Sequence, residues 1–576
     1  MLELFGKKRP VKKVPEKEEP FFMHEPKNVK PLPAFDDITK TDVKYPLIEP
    51  MAYAEVKWFP VEKKLMYGVI EPRLDPDRKK LLRKLETDMS EIIDVKLSSL
   101  KGDKVFSYLE RKFKSVLEDG GITLEGEDYR KILYYIIRDF LGMNEIEPLL
   151  HDPYIEDIGC SGLDTPIYVV HKKYGSLETN IIFYDFDYLS NLVVKIAERS
   201  GRYISYATPL LDGTMPDGSR VQASLAKDVT TKGPTFSIRK FRKNPFSPTD
   251  IINLNTADAG IMAYLWLLIQ YNASLLICGG VSTGKTTILN ALTMFIPPED
   301  KIISIEDTRE INLPHENWIP SVSRTGFGIP EAGGKRYGEV DLFDLLKESF
   351  RQNPDYVIVG EVRGKEAYVM FQGIASGHSS IGTIHAGSLE DVVKRLMTPP
   401  IELSPSLVES LDVIIVLTHF KEHGKSMRRV KEVVEIQSID PQSGRAHATE
   451  VFGWIPSADQ FKENLMGSEM LRRISFQEGL SYPKVMEELD KRKRFLLWMQ
   501  KFNVCQFDEV CRLINLFYKD NATVMKWVNK GMKPYSTKNE RHAKKTWKSA
   551  SKEGDLSPSK KAAARKARRK KAHTPG

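Results

Sequence analysis

Cysteine is scarce: four in 576 residues (Cys160, Cys278, Cys505 and Cys511), scattered and with no C-x-x-C pair. That excludes a disulfide scaffold and a zinc framework of paired cysteines, and it predicts a reducing compartment. Long apolar runs are missing too. The longest, Ile261 to Cys278, is interrupted by Gln270, Asn272 and Ser274, so it predicts a helix followed by a strand and no membrane span. The first residues, MLELFGKKRPVKK, contain no apolar h-region, and no secretory signal is expected. His378 and His385 stand seven apart in GHSSIGTIHA, without H-E-x-x-H spacing, which argues against a histidine metal site. No internal repeat is visible. A net positive charge is absent from most of the chain. The net charge is +8, yet residues 533–576 hold 15 Lys/Arg against 3 Asp/Glu, a net +12, which leaves −4 for the rest. A basic pI therefore says little about the folded body.

At 576 residues the chain is too long for one core. Residues 1–44, rich in Lys, Glu and Pro, are expected to be a disordered leader. Residues 45–144 open with a hairpin pattern, AYAEVKWFPVEKKLMYGVIEP, and turn helical from Pro76, which predicts an α/β partner-contact domain. Residues 145–248 read as a second α/β domain, with strands at Ile155–Ile158, Ile167–Val170, Ile181–Tyr184 and Phe236–Ile238 and a helix at Tyr188–Glu198. Residues 249–458 alternate strand and helix, which implies a largely parallel sheet flanked by helices. A helical region is expected over 459–530, its last helix running from Asp508 to Asn529. Residues 531–576 are a low-complexity basic tail, expected to be disordered.

One stretch organises the chain. An apolar strand, Leu275 to Cys278, leads into Gly279-Gly280-Val281-Ser282-Thr283-Gly284-Lys285-Thr286, which fits G-x-x-x-x-G-K-[ST] at each position; Thr287 follows. Behind it Ile288, Leu289, Leu292 and Phe295 recur at helical spacing. The glycines let backbone N–H groups turn inward around a triphosphate, and the helix start adds favourable partial charge. Lys285 is placed to reach the β- and γ-phosphates, and the Thr286 hydroxyl to ligate Mg²⁺. The motif predicts a nucleotide-binding site.

In open sheets ligands lie at the carboxyl ends of the strands. Glu306, Glu361 and His385 all fall at such ends, on the edge of the phosphate loop. Glu306 and Glu361 are candidates to orient the attacking water and to hold the metal. The strand before Glu361 ends in Gly-Glu and not in Asp, so the sequence leaves open which acid does which task. Histidines near a γ-phosphate can sense it, or serve as satisfied core side chains. Arg220 in DGSRV, and Arg239 and Arg242 in SIRKFR, offer planar forks for phosphate, or else form a solvated basic surface.

The ordered set GGVSTGKTT, IISIEDTREINLP, RQNPDYVIVGEVRGKEA and GHSSIGTIHAGS resembles the secretion ATPases of type II/type IV secretion, type IV pili and the archaellum. These match that family's Walker A, aspartate box, Walker B and histidine box. YPLIEPMAYAEVKW, and the lack of a tetracysteine zinc site, look more like its archaeal branch than the bacterial pilus motors. The resemblance runs from about Tyr45 into the 520s. It implies a PAS-like α/β domain before a RecA-like ATPase domain and a homohexameric ring. It also implies ATP hydrolysis with Mg²⁺ held through Thr286 and Glu361, and Glu306 as the catalytic acid of the aspartate box. Arg220, Arg239 and Arg242 would contribute to the nucleotide site, with His378 and His385 in the histidine box. The partner implied is a polytopic membrane platform at the inner face of the cell membrane, with the basic tail touching anionic lipid.

A nucleic-acid translocase with a RecA-like core is the rival. Such a motor needs Lys/Arg along its pore or domain surface. Here the excess sits in the tail, which makes nucleic acid the weaker expectation.

Overall fold

The structure, a computed structural model, describes residues 32–33, 37–93, 103–124, 126–241, 244–324, 326, 335–422, 425–440 and 443–534. Most of the expected leader, nearly all of the basic tail and Arg242 lie outside the described residues. Two compact units divide after Phe241.

The first unit contains β1 (Asp42–Ile48), β2 (Ala52–Phe59), β3 (Lys64–Ile70), β4 (Ile155–Cys160), β5 (Pro166–His171), β6 (Gly175–Ile182), β7 (Leu210–Thr214), β8 (Arg220–Ser224) and β9 (Thr235–Arg239). All nine join one sheet in the order β1-β2-β3-β6-β5-β4-β9-β8-β7. The sequence places a domain boundary at residue 144/145, but this sheet runs across it. Met66 and Tyr67 of β3 pair in parallel with Glu178 and Thr179 of β6, and Asn180 uses both ends of its amide on the Val69 backbone. β1 also begins three residues inside the expected leader. Its alternating burial puts Val43, Tyr45 and Leu47 into the core while Asp42 and Lys44 face out, the period-two pattern of a sheet covered on one face.

The helices of this unit are α1 (Pro76–Ile92), α2 (Asp103–Asp119), α3 (Gly126–Phe140), α4 (Glu147–His151) and α5 (Phe186–Arg199). The first three enclose a small core of their own, around Leu85, Met89, Leu109, Phe113, Ile132 and Ile136.

Among the described residues the second unit holds another nine strands: β10 (Leu275–Gly279), β11 (Ile302–Glu306), β12 (Trp318–Val322), β13 (Tyr356–Val362), β14 (Ser379–His385), β15 (Val413–Glu422), β16 (Lys425–Ile439), β17 (Ala446–Ile455) and β18 (Gln460–Glu463). Their order is β12-β11-β13-β14-β10-β15-β16-β17-β18. The first six run parallel, and β16 to β18 continue the sheet antiparallel. Its helices are α6 (Pro248–Asn253), α7 (Ala259–Gln270), α8 (Lys285–Thr293), α9 (Leu342–Arg351), α10 (Glu366–Ala375), α11 (Leu389–Met397), α12 (Pro405–Val408), α13 (Glu469–Gln477), α14 (Tyr482–Lys501), α15 (Phe507–Lys519) and α16 (Asn521–Asn529).

Every residue of β10 and β11 is buried because both sheet faces are covered. Leu275 and Ile277 enter the core shared with α7 and α8, whereas Leu276 and Cys278 enter the opposite core with Met370, Phe371 and Val392.

Three expectations need correction here. The α/β domain predicted to run to residue 248 overlaps the next unit, because Ser247 and Asp250 form a reciprocal capping box at the start of α6. The region after 459 opens with a strand, β18, and its helices do not form a separate layer. Val485, Leu489, Phe495 and Met499 share a core with Ile277 and Trp266, and the Trp266 and Phe295 rings stack at 4.8 Å. The last helix is two. Asp520 breaks it with φ −147° and ψ 68°, and its side chain accepts from Thr523 N to start α16.

Candidate functional site

β10 delivers the phosphate loop to the N-terminus of α8. The loop turns through two left-handed positions, Ser282 (φ 59°) and Gly284 (φ 93°). At Gly284 the conformation favours glycine; at Gly279 the reason is space, because a Cβ would come within 2.5 Å of Thr283 Oγ1.

Lys285 points into the loop. Its Nζ donates to Gly280 O at 2.9 Å and Gly279 O at 3.2 Å, and lies 3.2 Å from His385 Nδ1. Burial lowers its pKa from the ordinary lysine value, opposed by Glu361. The ammonium is thus held by neutral acceptors, the kind of shell a phosphate oxygen outcompetes. Among the described residues none hydrogen-bonds the side chain of the half-buried Thr286, so its hydroxyl is open to a ligand.

Glu306 closes β11 and is 3% exposed. One oxygen accepts from the backbone N–H groups of Glu310 and Ile311 at 2.8 and 2.9 Å; the other, Oε2, is buried with no partner. Burial raises its pKa to about 7, against the pull of those two N–H groups. Gly360 of β13 lies so close that a Cβ there would stand 3.1 Å from Glu306 Cγ. Gly360→Ala is therefore expected to shift Glu306 and cut turnover about ten- to a hundredfold, checked by steady-state hydrolysis beside an unchanged circular-dichroism spectrum.

Glu361 sits in β13, which continues to Val362, so the acid lies inside the strand and not beyond it. It pairs with Arg363, and its Oε1 lies 3.1 Å from His385 Nε2, a close approach without hydrogen-bond geometry. Burial pushes its carboxyl up, but Arg363, His385 and Lys285 outweigh this and hold it below the ordinary value. His385 is lowered by burial and by Lys285. Because Lys285 can only donate, His385 Nδ1 accepts, which leaves the ring proton on Nε2 facing Glu361.

Of the residues singled out from sequence, Lys285, Glu361 and His385 make direct contact. Glu306 joins them through Gly360, beside Glu361. His378 does not: it precedes β14 at the end opposite His385. Seven residues of strand span roughly 23 Å, and its ring packs edge-on against Phe350. The sequence places His385, and not His378, at a strand's carboxyl end, and the direction of β14 keeps the two apart. Arg220 and Arg239 belong to the first unit, where they are direct cross-strand neighbours on β8 and β9. Arg220 Nη2 lies 3.3 Å from Asp212.

Sequence reasoning missed two participants. Arg363 bridges Glu361 and, at 3.7 Å, Asp307; its position two residues after Glu361 was the available signal. Asn290 of α8 donates to Thr286 O and Glu310 O and accepts from Asn312 N, tying the loop helix to the segment that holds Glu306.

The family model described as type II/IV secretion system protein matches residues 144–466, more than half of the chain. The chain belongs to that family. This member is an ATP hydrolase, and both of its units are α/β. An uncharacterised protein of Methanocaldococcus jannaschii is 34% identical over 488 residues, 83% of this chain and 86% of that protein. PtlH, a type IV secretion system protein of Bordetella pertussis, is 30% identical over 279 residues, 43% of this chain and 80% of PtlH. Among solved structures, the Legionella pneumophila ATPase DotB is 16% identical, with 63% of this chain and 92% of that one covered at a TM-score of 0.36.

Proposed function

We propose that this ATPase works as a homohexameric motor at the inner face of the cell membrane, driving assembly of a pilus-like or archaellum filament, or secretion, through a polytopic membrane platform. The observation that carries the catalytic part is the contact chain Lys285–His385–Glu361–Arg363 beside a buried Glu306 with one unpartnered oxygen.

ATP would sit with its β- and γ-phosphates on the loop N–H groups, taking the Lys285 ammonium from the carbonyls of Gly279 and Gly280. Val281, Ser282, Thr283, Gly284 and Thr287 supply the rest of the cradle. Glu306, near neutral in pKa and free of cationic partners at Oε2, is suited to take a proton from the attacking water. Glu361, kept ionised by its neighbours, is suited to hold charge in place. The open Thr286 hydroxyl and the ionised Glu361 are oxygen donors that fit Mg²⁺, which when bound neutralises charge developing on the phosphates. His385, touching both Lys285 and Glu361, would register whether the γ-phosphate is present.

Arg220 and Arg239 are cross-strand neighbours on β8 and β9. Supplied by a neighbouring copy, they would complete the charge around the γ-phosphate. Turnover per chain is then expected to rise steeply with protein concentration, with nucleotide favouring the assembled state. Sedimentation velocity read beside the hydrolysis rate checks this, and a fully active monomer contradicts it.

No helix among the described residues is long and apolar enough to cross a membrane. Membrane contact is assigned to the +12 segment at 533–576. Each basic residue near an anionic surface contributes on the order of 1 kcal/mol, fading beyond a Debye length. Deleting 533–576 is expected to spare hydrolysis in solution and to weaken binding to phosphatidylserine vesicles, most at low salt. RNA or DNA that binds the full chain and raises turnover, while such vesicles do neither, would favour the nucleic-acid reading.

A further inference from the structure

Arg428 lies outside every motif that marks the nucleotide site, yet it touches the phosphate loop. It is carried by the hairpin of β15 and β16. β10 stops at Gly279, opposite Leu417 of β15, while β15 runs on to Glu422. The hairpin therefore overhangs the edge where the loop begins, and Arg428 sits on the overhang, opposite His419.

Its Nε donates to Ser282 O at 2.8 Å, and its Cδ lies 3.3 Å from where a Cβ on Gly284 would stand. One side chain thus braces both left-handed positions of the loop, Ser282 at φ 59° and Gly284 at φ 93°. The brace is anchored. Next to it, Arg429 is buried and makes two bonds to Asp459, at 2.7 and 2.8 Å, with a third to Leu254 O at 3.2 Å. Trp454 Nε1 and Asn255 donate to the same carboxylate, and Trp454 stacks on Phe420 of β15. The base of the hairpin is fixed by this network, so the neighbouring arginine reaches the loop from a rigid element.

A left-handed serine is a conformation that the chain leaves readily without support. Nucleotide affinity depends on the loop N–H groups already pointing inward. We infer that Arg428 is a positioning residue: it holds the phosphate loop in its anion-binding shape by clamping the Ser282 carbonyl, and it acts on nucleotide affinity and not on the chemical step.

This inference rests on the ATPase reading, and the experiment separates the two. Hydrolysis by the unaltered full-length chain is measured first with Mg-ATP; a chain without turnover overturns that reading before any variant is compared. Arg428→Ala and Arg428→Lys are then assayed over a range of ATP concentrations, with ADP affinity measured by calorimetry. Loss of one charge-assisted hydrogen bond is expected to raise KM for ATP and Kd for ADP together by roughly tenfold in Arg428→Ala, with kcat within about twofold. Arg428→Lys, which keeps a cationic donor and serves if the alanine variant does not fold, is expected to recover most of that affinity. An unchanged KM and Kd in Arg428→Ala overturns the inference. So does a fall in kcat alone, or a lysine variant as weak as the alanine one.

Discussion

Lys285→Ala is expected to leave no measurable hydrolysis and to weaken ATP binding sharply. The ammonium is buried, held by Gly279 O, Gly280 O and His385. A triphosphate arriving there replaces neutral acceptors with oxygens that carry net negative charge, so the attraction grows as the phosphate docks and again as charge develops on the leaving oxygen. Alanine removes that term and frees His385 Nδ1, so the histidine loses its link to the loop as well. Steady-state hydrolysis and calorimetric titration with a non-hydrolysable ATP analogue check both parts. Near-normal turnover would remove Lys285 from the site.

Glu306→Gln and Glu361→Gln are each expected to bind ATP and to lose at least about a hundredfold in turnover. They should differ in pH behaviour. With the Glu306 carboxyl pushed up to about 7, a base at this position is protonated and idle below that pH, so kcat/KM of the parent should rise through pH 7 and level off above it. Glu306→Gln loses that limb, while Glu361→Gln keeps it at a lower level. The same shift has a sign for stability. The folded carboxyl binds its proton more tightly than a free one, so its ionisation costs stability increasingly as pH climbs from the ordinary carboxylate range to about 7. Glutamine keeps the shape without the charge, and Glu306→Gln should be no less heat-stable than the parent at pH 8.

The site was legible where chemistry and chain order coincide. A strand, a glycine loop and a helix are contiguous from Leu275 to Thr293, so local pattern sufficed. Glu306 and Glu361 were found because parallel strands align their carboxyl ends on one edge, a rule of topology that needs no coordinates. The same rule placed His385 on that edge, whereas the histidine-box resemblance alone also admitted His378, which precedes the strand at its other end. Arg363 was within a motif already quoted, yet its role needed the distance to Glu361. Arg428 carried no signal, because its contact with Ser282 depends on how far β15 overhangs β10. The first unit was hardest. β3 and β6 are more than a hundred residues apart and meet in a short parallel pairing, so nothing local announced that one sheet spans the predicted boundary. The C-terminal helices were visible by periodicity, but the shared core around Trp266 was not, since burial partners are set by tertiary packing.

The most direct test of the central claim is the nucleotide that Glu306→Gln retains. The full-length variant is incubated with ATP and Mg²⁺, freed of unbound ligand on a desalting column, denatured, and its nucleotide identified by chromatography. Unhydrolysed ATP bound to Glu306→Gln, beside ADP from the parent treated the same way, is the predicted result. ADP from the variant as readily as from the parent would contradict the assignment of Glu306 as the group that activates the water.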